Sequence, residues 1–355
     1  MDKPCGRSSM RPMITLAVAI RLVWLLSLEY TDAQNASWLC PLAGMIFYLP
    51  VAFAINALSK QVSGCAFNSP FLKRRKSAAV FVSIFASLLL ISDASASAHL
   101  LTNTADVMAL GESPIWLLAL PLSILVFTCS IFGIEAEGRS ARIWRNISLP
   151  LLGIVIFVQF RNYQPAWLTP ILGGGIKAVF RGAFYCAGYM ALISLPWLIA
   201  VEDTEQRGIL RGPIAGAMLA SAILALLEML TPPLVRTSIS RSGRIELILS
   251  NGRVHLMLQL VTVILWFANL LHLLNAECTA ASAFLQKALP RASNKLIAGI
   301  TALTVFLCTV SGAVVNKPFL KLYSKALYPI LCILIFVWLL FELISKRRKN
   351  HEQKT

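Results

Sequence analysis

Long apolar runs separated by short charged segments recur along the whole chain of 355 residues. A helix needs about 20 apolar residues to cross the hydrocarbon core of a bilayer, and most of these runs have about that length. A chain in lipid must satisfy its backbone polar groups internally, so it spans as helices or as a closed barrel. The runs lack the alternating pattern of barrel strands, which predicts helices. The ten predicted spans, numbered 1 to 10 in chain order, are 13–28, 38–58, 78–101, 115–134, 147–160, 183–200, 213–230, 254–275, 296–315 and 326–344.

The composition agrees with an all-α polytopic membrane protein and excludes most other classes. Hydrophobic residues make up 57% of the chain and charged residues only 14%, whereas charged residues are about 25% of an average protein. The 32 Lys and Arg against 16 Asp and Glu give a net charge of +16. These basic residues lie in short runs between the spans, which is the pattern that orients membrane proteins. We therefore predict a lipid bilayer as partner and no nucleic acid.

The chain shows no signature of an enzyme. It contains no nucleophile-elbow, zinc-protease or P-loop sequence. Its eight cysteines form no CxxC pair, and most of them lie inside apolar runs. We therefore predict no catalysis, no metal site and no cofactor.

The distribution of basic residues predicts the orientation. With the N-terminus in the cytoplasm, inner segments carry 21 of the 32 Lys and Arg, outer segments carry 10, and Arg21 lies within span 1. The bias predicts ten helices with both termini inside, because cytoplasmic segments are enriched in Lys and Arg. The expected organisation is a single membrane domain, 1–355, with a cytoplasmic N-terminus (1–12), a ten-helix core (13–344) and a basic cytoplasmic tail (345–355).

Short motifs in the middle of the chain form a recognisable series. They are Ala-Ser-Trp-Leu at 36–39, Gly-Ile-Glu at 133–135, an arginine at 139, Leu-Thr-Pro-Ile-Leu at 168–172, glycines at 175 and 182, and Leu-Pro at 195–196. In order and spacing the series resembles the GerAB-type spore germination permease family, whose members are the B subunits of germinant receptors. The match is best over roughly residues 35–200.

The resemblance implies membership of the amino acid–polyamine–organocation superfamily and a LeuT-like fold. In that fold, spans 1–5 and 6–10 are two inverted repeats, and the first helix of each repeat is broken in the middle of the membrane. A broken helix presents backbone N–H and C=O groups that hold a ligand or an ion. The resemblance also implies the receptor's A and C subunits as partners, a small nutrient as ligand, and the spore inner membrane as location.

Span 6 fits the role of a broken helix. Gly188 lies near its middle between Tyr185 and Tyr189, and Pro196 follows about two turns later. Gly costs a helix about 1 kcal/mol and Pro about 3 kcal/mol. The alternative is that Gly188 is a position of close helix packing. Taken with the resemblance, the pattern favours a break at Gly188, with both tyrosines near the ligand.

Charged side chains inside a membrane are costly and normally face a cavity or a partner. Arg21 on span 1 and Asp93 on span 3 lie at similar depth, on two spans that line the central site in the implied fold. They are interpreted as a structural ion pair, as a ligand-sensing pair, or as independent groups with Arg21 extending to the interface. Span 1 departs from the family pattern because it has no glycine at the expected break.

Span 8 carries a polar stripe. Asn269, His272 and Asn275 recur every three residues and therefore share one helix face. Such a stripe either lines a water-filled path or forms hydrogen bonds between helices, and the sequence does not separate these two interpretations. Spacing alone gives His272 no metal partners.

Three functions are compatible with these patterns. The first is a germinant-receptor B subunit that recognises a small nutrient such as an amino acid. The second is a proton-coupled secondary transporter of amino acids or amines, with the proton on a membrane carboxylate such as Asp93 or Glu228. The third is a subunit that binds no ligand. The predicted ligand-binding residues are Arg21, Asp93, Tyr185, Gly188, Tyr189, Asn269 and His272.

Overall fold

The computed structural model describes residues 33–61, 76–106, 113–160, 164–169, 171–198, 211–230, 256–313 and 317–352. Over these residues, eight α-helices are joined by turns and short 3₁₀ helices. The helices are α1 (Leu39–Gln61), α2 (Lys76–Ala105), α3 (Ile115–Phe160), α4 (Ile176–Ser194), α5 (Arg211–Met229), α6 (Leu256–Ala288), α7 (Asn294–Ser311) and α8 (Lys317–Glu352). Span 1, with Arg21, lies outside the described residues.

Gly133 divides α3 into two helices. Its φ of 80° and ψ of 174° lie in a backbone region that essentially only glycine adopts. Without this kink, the 46 residues of α3 would extend about 69 Å, more than twice the ~30 Å thickness of the hydrocarbon core. We call the two parts α3a (115–132) and α3b (134–160); they correspond to spans 4 and 5. The described helices thus account for spans 2 to 10, and the count of ten stays a prediction.

The apolar outer faces identify a multi-pass membrane protein. Large hydrophobic side chains such as Ile46, Phe132 and Leu322 are exposed, whereas soluble proteins rarely expose large apolar patches. Five of the described helices contain segments long and apolar enough to cross a bilayer. These segments are Lys76–Asn103, Ile115–Ile154, Ile176–Ser194, Asn294–Ser311 and Lys325–Ile344.

The main helix contacts divide the described helices into two groups. In the first helix group, α1 packs against α4, α5 and α8, and α8 also packs against α4. In the second helix group, α6 packs against α2, α3 and α7, and α7 also packs against α2 and α3. A continuous set of buried hydrophobic side chains runs through both groups.

Two helices extend beyond their predicted spans. The segment 135–146, expected to be an inner loop, is helical as the start of α3b. Similarly, α6 continues through Glu277 to Ala288 instead of ending at Asn275. In both places, the predicted span ends where charged residues begin. The structure buries Glu137 and Glu277 within helices. A charged side chain does not interrupt the backbone hydrogen bonds of a helix, so the helix continues past these residues.

The predicted break of span 6 at Gly188 is wrong. Helix α4 is α-helical from Ile176 to Ser194 and changes to a 3₁₀ helix at Leu195–Leu198, where Pro196 lies. A Cβ atom at residue 188 would lie 3.1 Å from the backbone nitrogen of Tyr328 on α8 and 3.3 Å from its Cβ. Gly188 is therefore a packing position, and the cost of a single glycine, about 1 kcal/mol, does not break a helix that is buried from Tyr185 to Ser194.

Candidate functional site

Buried polar side chains lie on both α2 and α6, two helices that pack against each other. Asp93 on α2 is completely buried, and Asn275, Glu277 and Thr279 on α6 are at most 7% exposed. We call these four residues the central polar layer. Burying so many polar groups is costly unless they are paired with protein or ligand groups, so their concentration in one place marks a candidate site.

Hydrogen bonds define the relative directions of the three helices around this layer. Helices α6 and α7 form a hairpin, and Ser282 Oγ on α6 donates to Thr301 Oγ1 on α7 at 3.1 Å. Further along α7, the carbonyl oxygen of Thr309 accepts from Nδ1 of His99 on α2 at 2.9 Å. Ser87 on α2 contacts Ala281, which precedes Ser282 and is therefore near the level of Thr301 on α7. Residue numbers thus increase in the same direction on α2 (87 to 99) and on α7 (301 to 309). Helix α2 is therefore parallel to α7 and antiparallel to α6.

This register places the layer at one depth. Ser87 Oγ on α2 donates to the carbonyl oxygen of Ala281 on α6 at 3.1 Å. Moving six residues from Ser87 to Asp93 along α2 corresponds to moving six residues back along the antiparallel α6, from Ala281 to Asn275. Asp93 therefore lies at the level of Asn275, and at about 1.5 Å of rise per residue Glu277 is about 3 Å further along α6.

Two acceptor atoms of the layer are buried without a partner. Asn275 Oδ1 and Thr279 Oγ1 are inaccessible to solvent and make no hydrogen bond within the described part of the chain. Buried polar atoms normally have partners. The layer thus combines two carboxyl groups with two available acceptors, which suits a small solute that carries several hydrogen-bond donors. Among the residues the structure describes, no three His, Cys, Asp or Glu side chains come together as metal ligands.

A second polar cluster joins α3b to α6. Nδ1 of His272 lies 2.9 Å from Oε1 of Glu137, whose side chain is 5% exposed against 19% for the histidine. The indole Nε1–H of Trp144 donates to Asn269 Oδ1 at 2.8 Å, and the Trp144 ring stacks against His272 with centroids 6.0 Å apart. We call these four residues the His–Glu cluster. The two predicted residues Asn269 and His272 therefore make hydrogen bonds between helices, and their binding of a ligand stays a prediction.

The other predicted ligand residues lie on the first helix group or outside the described residues. Tyr185 and Tyr189 are buried on α4, together with Gly188. Near the end of α4, Ser194 Oγ and the hydroxyl of Tyr48 on α1 are 2.5 Å apart. The pairing of Arg21 with Asp93 and the role of the Glu228 side chain fall outside what the structure describes.

Sequence reasoning missed Glu137 and Trp144. The apolar pattern predicts an inner loop for both, because three arginines interrupt it there. A helical signal was present: residues 137, 141, 144 and 148 recur at intervals of three and four, and in the structure this face is turned inward while Arg139 and Arg142 are exposed. Amphipathic periodicity, applied across the charged residues, would have found it.

Comparison with known proteins identifies the fold. No protein-family model matches the chain, and no curated protein matches it in sequence. The crystal structure of MhsT in complex with L-phenylalanine is similar, with a TM-score of 0.67 at 15% identity over 94% of this chain and 89% of MhsT. A mutant of the manganese transporter of Eremococcus coleocola has a TM-score of 0.53 at 14% identity, over 94% of this chain and 76% of that one. Both are LeuT-fold transporters, so the chain has a LeuT-like fold, as the sequence motifs implied.

Proposed function

We propose that the chain is a permease-like membrane protein that recognises a small nutrient such as an amino acid, as the B subunit of a spore germinant receptor. The observation that carries this proposal is the central polar layer. In a LeuT-like fold, a group of buried carboxyl and amide side chains at one depth is what a solute-binding membrane protein needs and what a purely structural subunit does not.

The chemistry of the layer suits an amino acid. An α-ammonium group offers three N–H donors, and buried Asp93 and the acceptor of Asn275, which lie at one level, are oxygens able to accept from it. The carboxylate of the ligand would need a cation, for which Arg21 is the predicted partner. MhsT, which has the same fold, holds L-phenylalanine in its crystal structure.

The family motifs support the germinant-receptor assignment. The Gly-Ile-Glu sequence coincides with the positive φ of Gly133 that separates α3a from α3b, so this motif has a physical role in the fold. The glycine at 175 has a φ of 79° at the start of α4. Both glycines are thus required by the backbone. On this proposal, the protein lies in the spore inner membrane and works with the receptor's A and C subunits.

A proton-coupled transporter of amino acids or amines is the second candidate. The observation that favours it is the buried contact between Glu137 and His272, because an acid and an imidazole at hydrogen-bond distance are able to hold an exchangeable proton. Accumulation of labelled substrate in proteoliposomes under a proton gradient would favour this function. Binding without accumulation would favour the receptor.

A thermal-shift screen of the purified protein against amino acids, sugars and nucleosides tests the proposal. A ligand that binds only the folded state at a hundred times its dissociation constant stabilises by about 2.7 kcal/mol. We expect an amino acid to raise the melting temperature of the wild type and of the control Ser282→Ala, and to have little effect on Asn275→Ala. If none of these compounds stabilises the wild type, nutrient recognition by this chain is contradicted.

Co-expression with candidate A and C subunits tests the assembly. We expect the three subunits to co-elute after purification through a tag on the A subunit. Failure of this chain to co-elute, combined with proton-driven uptake in proteoliposomes, would favour the transporter.

A further inference from the structure

The His–Glu cluster joins two helices, α3b and α6, and contains two ionisable side chains, Glu137 and His272. Glu137 follows the kink residue Gly133 by four residues, about one helical turn. His272 belongs to α6, the helix that carries most of the central polar layer. The hydrogen bond between Glu137 and His272 therefore joins the beginning of α3b to the middle of α6.

The strength of this contact depends on one proton. When His272 is protonated, its imidazolium donates to the Glu137 carboxylate and the two charges neutralise each other. When the proton leaves, neutral His272 still donates from Nδ1, but the negative charge of Glu137 stays buried without a counter-charge in the pair. An uncompensated buried charge is strongly unfavourable. Loss of the proton therefore weakens the contact between α3b and α6.

Other ionisable side chains lie on α3 and on the helices packed against it, among them Arg142 and Arg145 on α3b. On α3b, Arg139 is 3.7 Å from Glu135 and its side chain is 69% exposed. On α3a, Cys129 lies close enough to interact electrostatically with Glu137. The helices packed against α3 carry these other ionisable side chains among the described residues: Glu277, Cys278 and Lys287 on α6, Lys76, Asp93, His99 and Asp106 on α2, and Lys295 and Cys308 on α7.

We propose that Glu137 and His272 form a proton-binding site, and that release of its proton to water at the partly exposed edge of His272 loosens α3b from α6, with Gly133 as the pivot. The ligand is a single proton, which moves between the imidazole and water without a further reactant. The proposal concerns this pair alone and does not depend on which nutrient the protein recognises.

Trp144 provides a direct readout of the proton. Its ring stacks on His272 at 6.0 Å with 20° between the planes, and an imidazolium quenches indole fluorescence more strongly than a neutral imidazole. The signal of Trp144 is the difference between the emission of the wild type and that of Trp144→Phe, measured from about pH 5 to about pH 8, where histidines titrate. We expect this difference to be small at low pH and to increase in a single one-proton transition.

Three variants identify the groups responsible. His272→Asn should abolish the transition. Glu137→Gln should leave the contact between α3b and α6 independent of pH, because a neutral amide carries no charge that loss of the proton could leave uncompensated. His99→Asn is the matched control, since His99 bonds to a backbone carbonyl on α7, and it should leave the transition unchanged. A Trp144 signal that does not change with pH, or one that titrates equally in His272→Asn, would overturn the proposal.

Hydrogen exchange tests the mechanical part. After correction for the intrinsic pH dependence of exchange, protection of the amides of 134–148 should fall above the midpoint in the wild type. In His272→Asn the protection should be low and independent of pH. Equal protection on both sides of the midpoint in the wild type would show that the proton does not control the contact between α3b and α6.

Discussion

The two helix groups are held together by different kinds of contact. In the first helix group, backbones approach closely at glycines: Gly188 lies against Tyr328, and a Cβ atom at Gly44 would overlap Cys186 and lie 2.9 Å from the carbonyl oxygen of Ala183. Aromatic rings cover one side of this contact, where Phe47 stacks on Phe184 with centroids 4.6 Å apart. This group relies mainly on shape.

The second helix group relies on polar side chains. Ser282 bonds to Thr301 and His272 to Glu137, each between different helices. Asp93 and Glu277 are buried in the same group. Lipid provides no hydrophobic drive for helix association, so either close packing or hydrogen bonds must supply it. The first group also has hydrogen bonds between helices, such as Tyr48 to Ser194, but most of the buried carboxyl groups of the described residues belong to the second group, and the proposed recognition of a solute would account for them.

The largest effect is expected from a bulky residue at Gly44. Gly44→Leu should leave almost no folded protein, because the side chain would have to displace the backbone of α4. Overpacking by far smaller changes already costs about 1–3 kcal/mol. Gly153→Leu is the matched control, since nothing lies within 4 Å of a Cβ atom at that position. Size-exclusion chromatography in detergent measures both. Equal recovery of the two variants would mean that the first helix group does not depend on close contact.

His272→Ala tests the second helix group at its buried charge. When His272 is protonated, the substitution leaves the Glu137 carboxylate without its counter-charge, and breaking a buried charged pair costs about 3–5 kcal/mol. Most of this loss should disappear in the Glu137→Gln background, where no charge is left uncompensated. The melting temperatures of the four proteins of this double-mutant cycle measure the coupling. Additive effects would show that the contact contributes no pairwise energy.

Gly188→Ala distinguishes packing from a helix break. The added methyl group must fit 3.1 Å from the backbone nitrogen of Tyr328. We expect stability to fall by about 1–3 kcal/mol relative to Gly153→Ala, a comparison that removes the intrinsic preference of helices for alanine. Ligand response should be retained. Normal stability with a lost ligand response would instead restore the broken-helix interpretation of Gly188.

The smallest effect is expected at Ser282. Its hydrogen bond to Thr301 is a single uncharged contact between helices, and such bonds contribute about 0.6 kcal/mol on average in membranes. Ser282→Ala should therefore lower the melting temperature only slightly. A loss as large as that of His272→Ala would show that uncharged bonds hold the second helix group as strongly as the charged pair.

The positions of spans 2 to 10 were predictable because membrane spans are long and uniformly apolar. The family motifs pointed to the LeuT-like fold as well. The helix ends at Glu137 and Glu277 were not predictable from hydropathy, since hydropathy treats a buried carboxylate and a loop carboxylate alike. Only the direction that a side chain faces separates them, and this depends on tertiary packing.

The candidate site was predictable in part. Asp93, Asn269 and His272 stood out because polar residues in apolar runs are conspicuous. Glu137 and Trp144, the partners of His272 and Asn269, were hidden because arginines from the exposed face of α3b alternate with them in the sequence. Gly188 was misleading because a glycine in a membrane helix is compatible with both a break and a close contact, and the neighbouring helix that decides between them is 140 residues away at Tyr328.

The central claim is that the central polar layer binds the nutrient through its charge. The most direct test is calorimetric titration of the amino acid selected by the thermal screen into the wild type, Asp93→Asn and the control Ser282→Ala. The substitution at Asp93 keeps the shape and removes the charge. We predict an affinity about tenfold or more lower for Asp93→Asn, equivalent to about 1.4 kcal/mol or more, and an unchanged affinity for Ser282→Ala. Equal affinity of Asp93→Asn and the wild type would contradict the account.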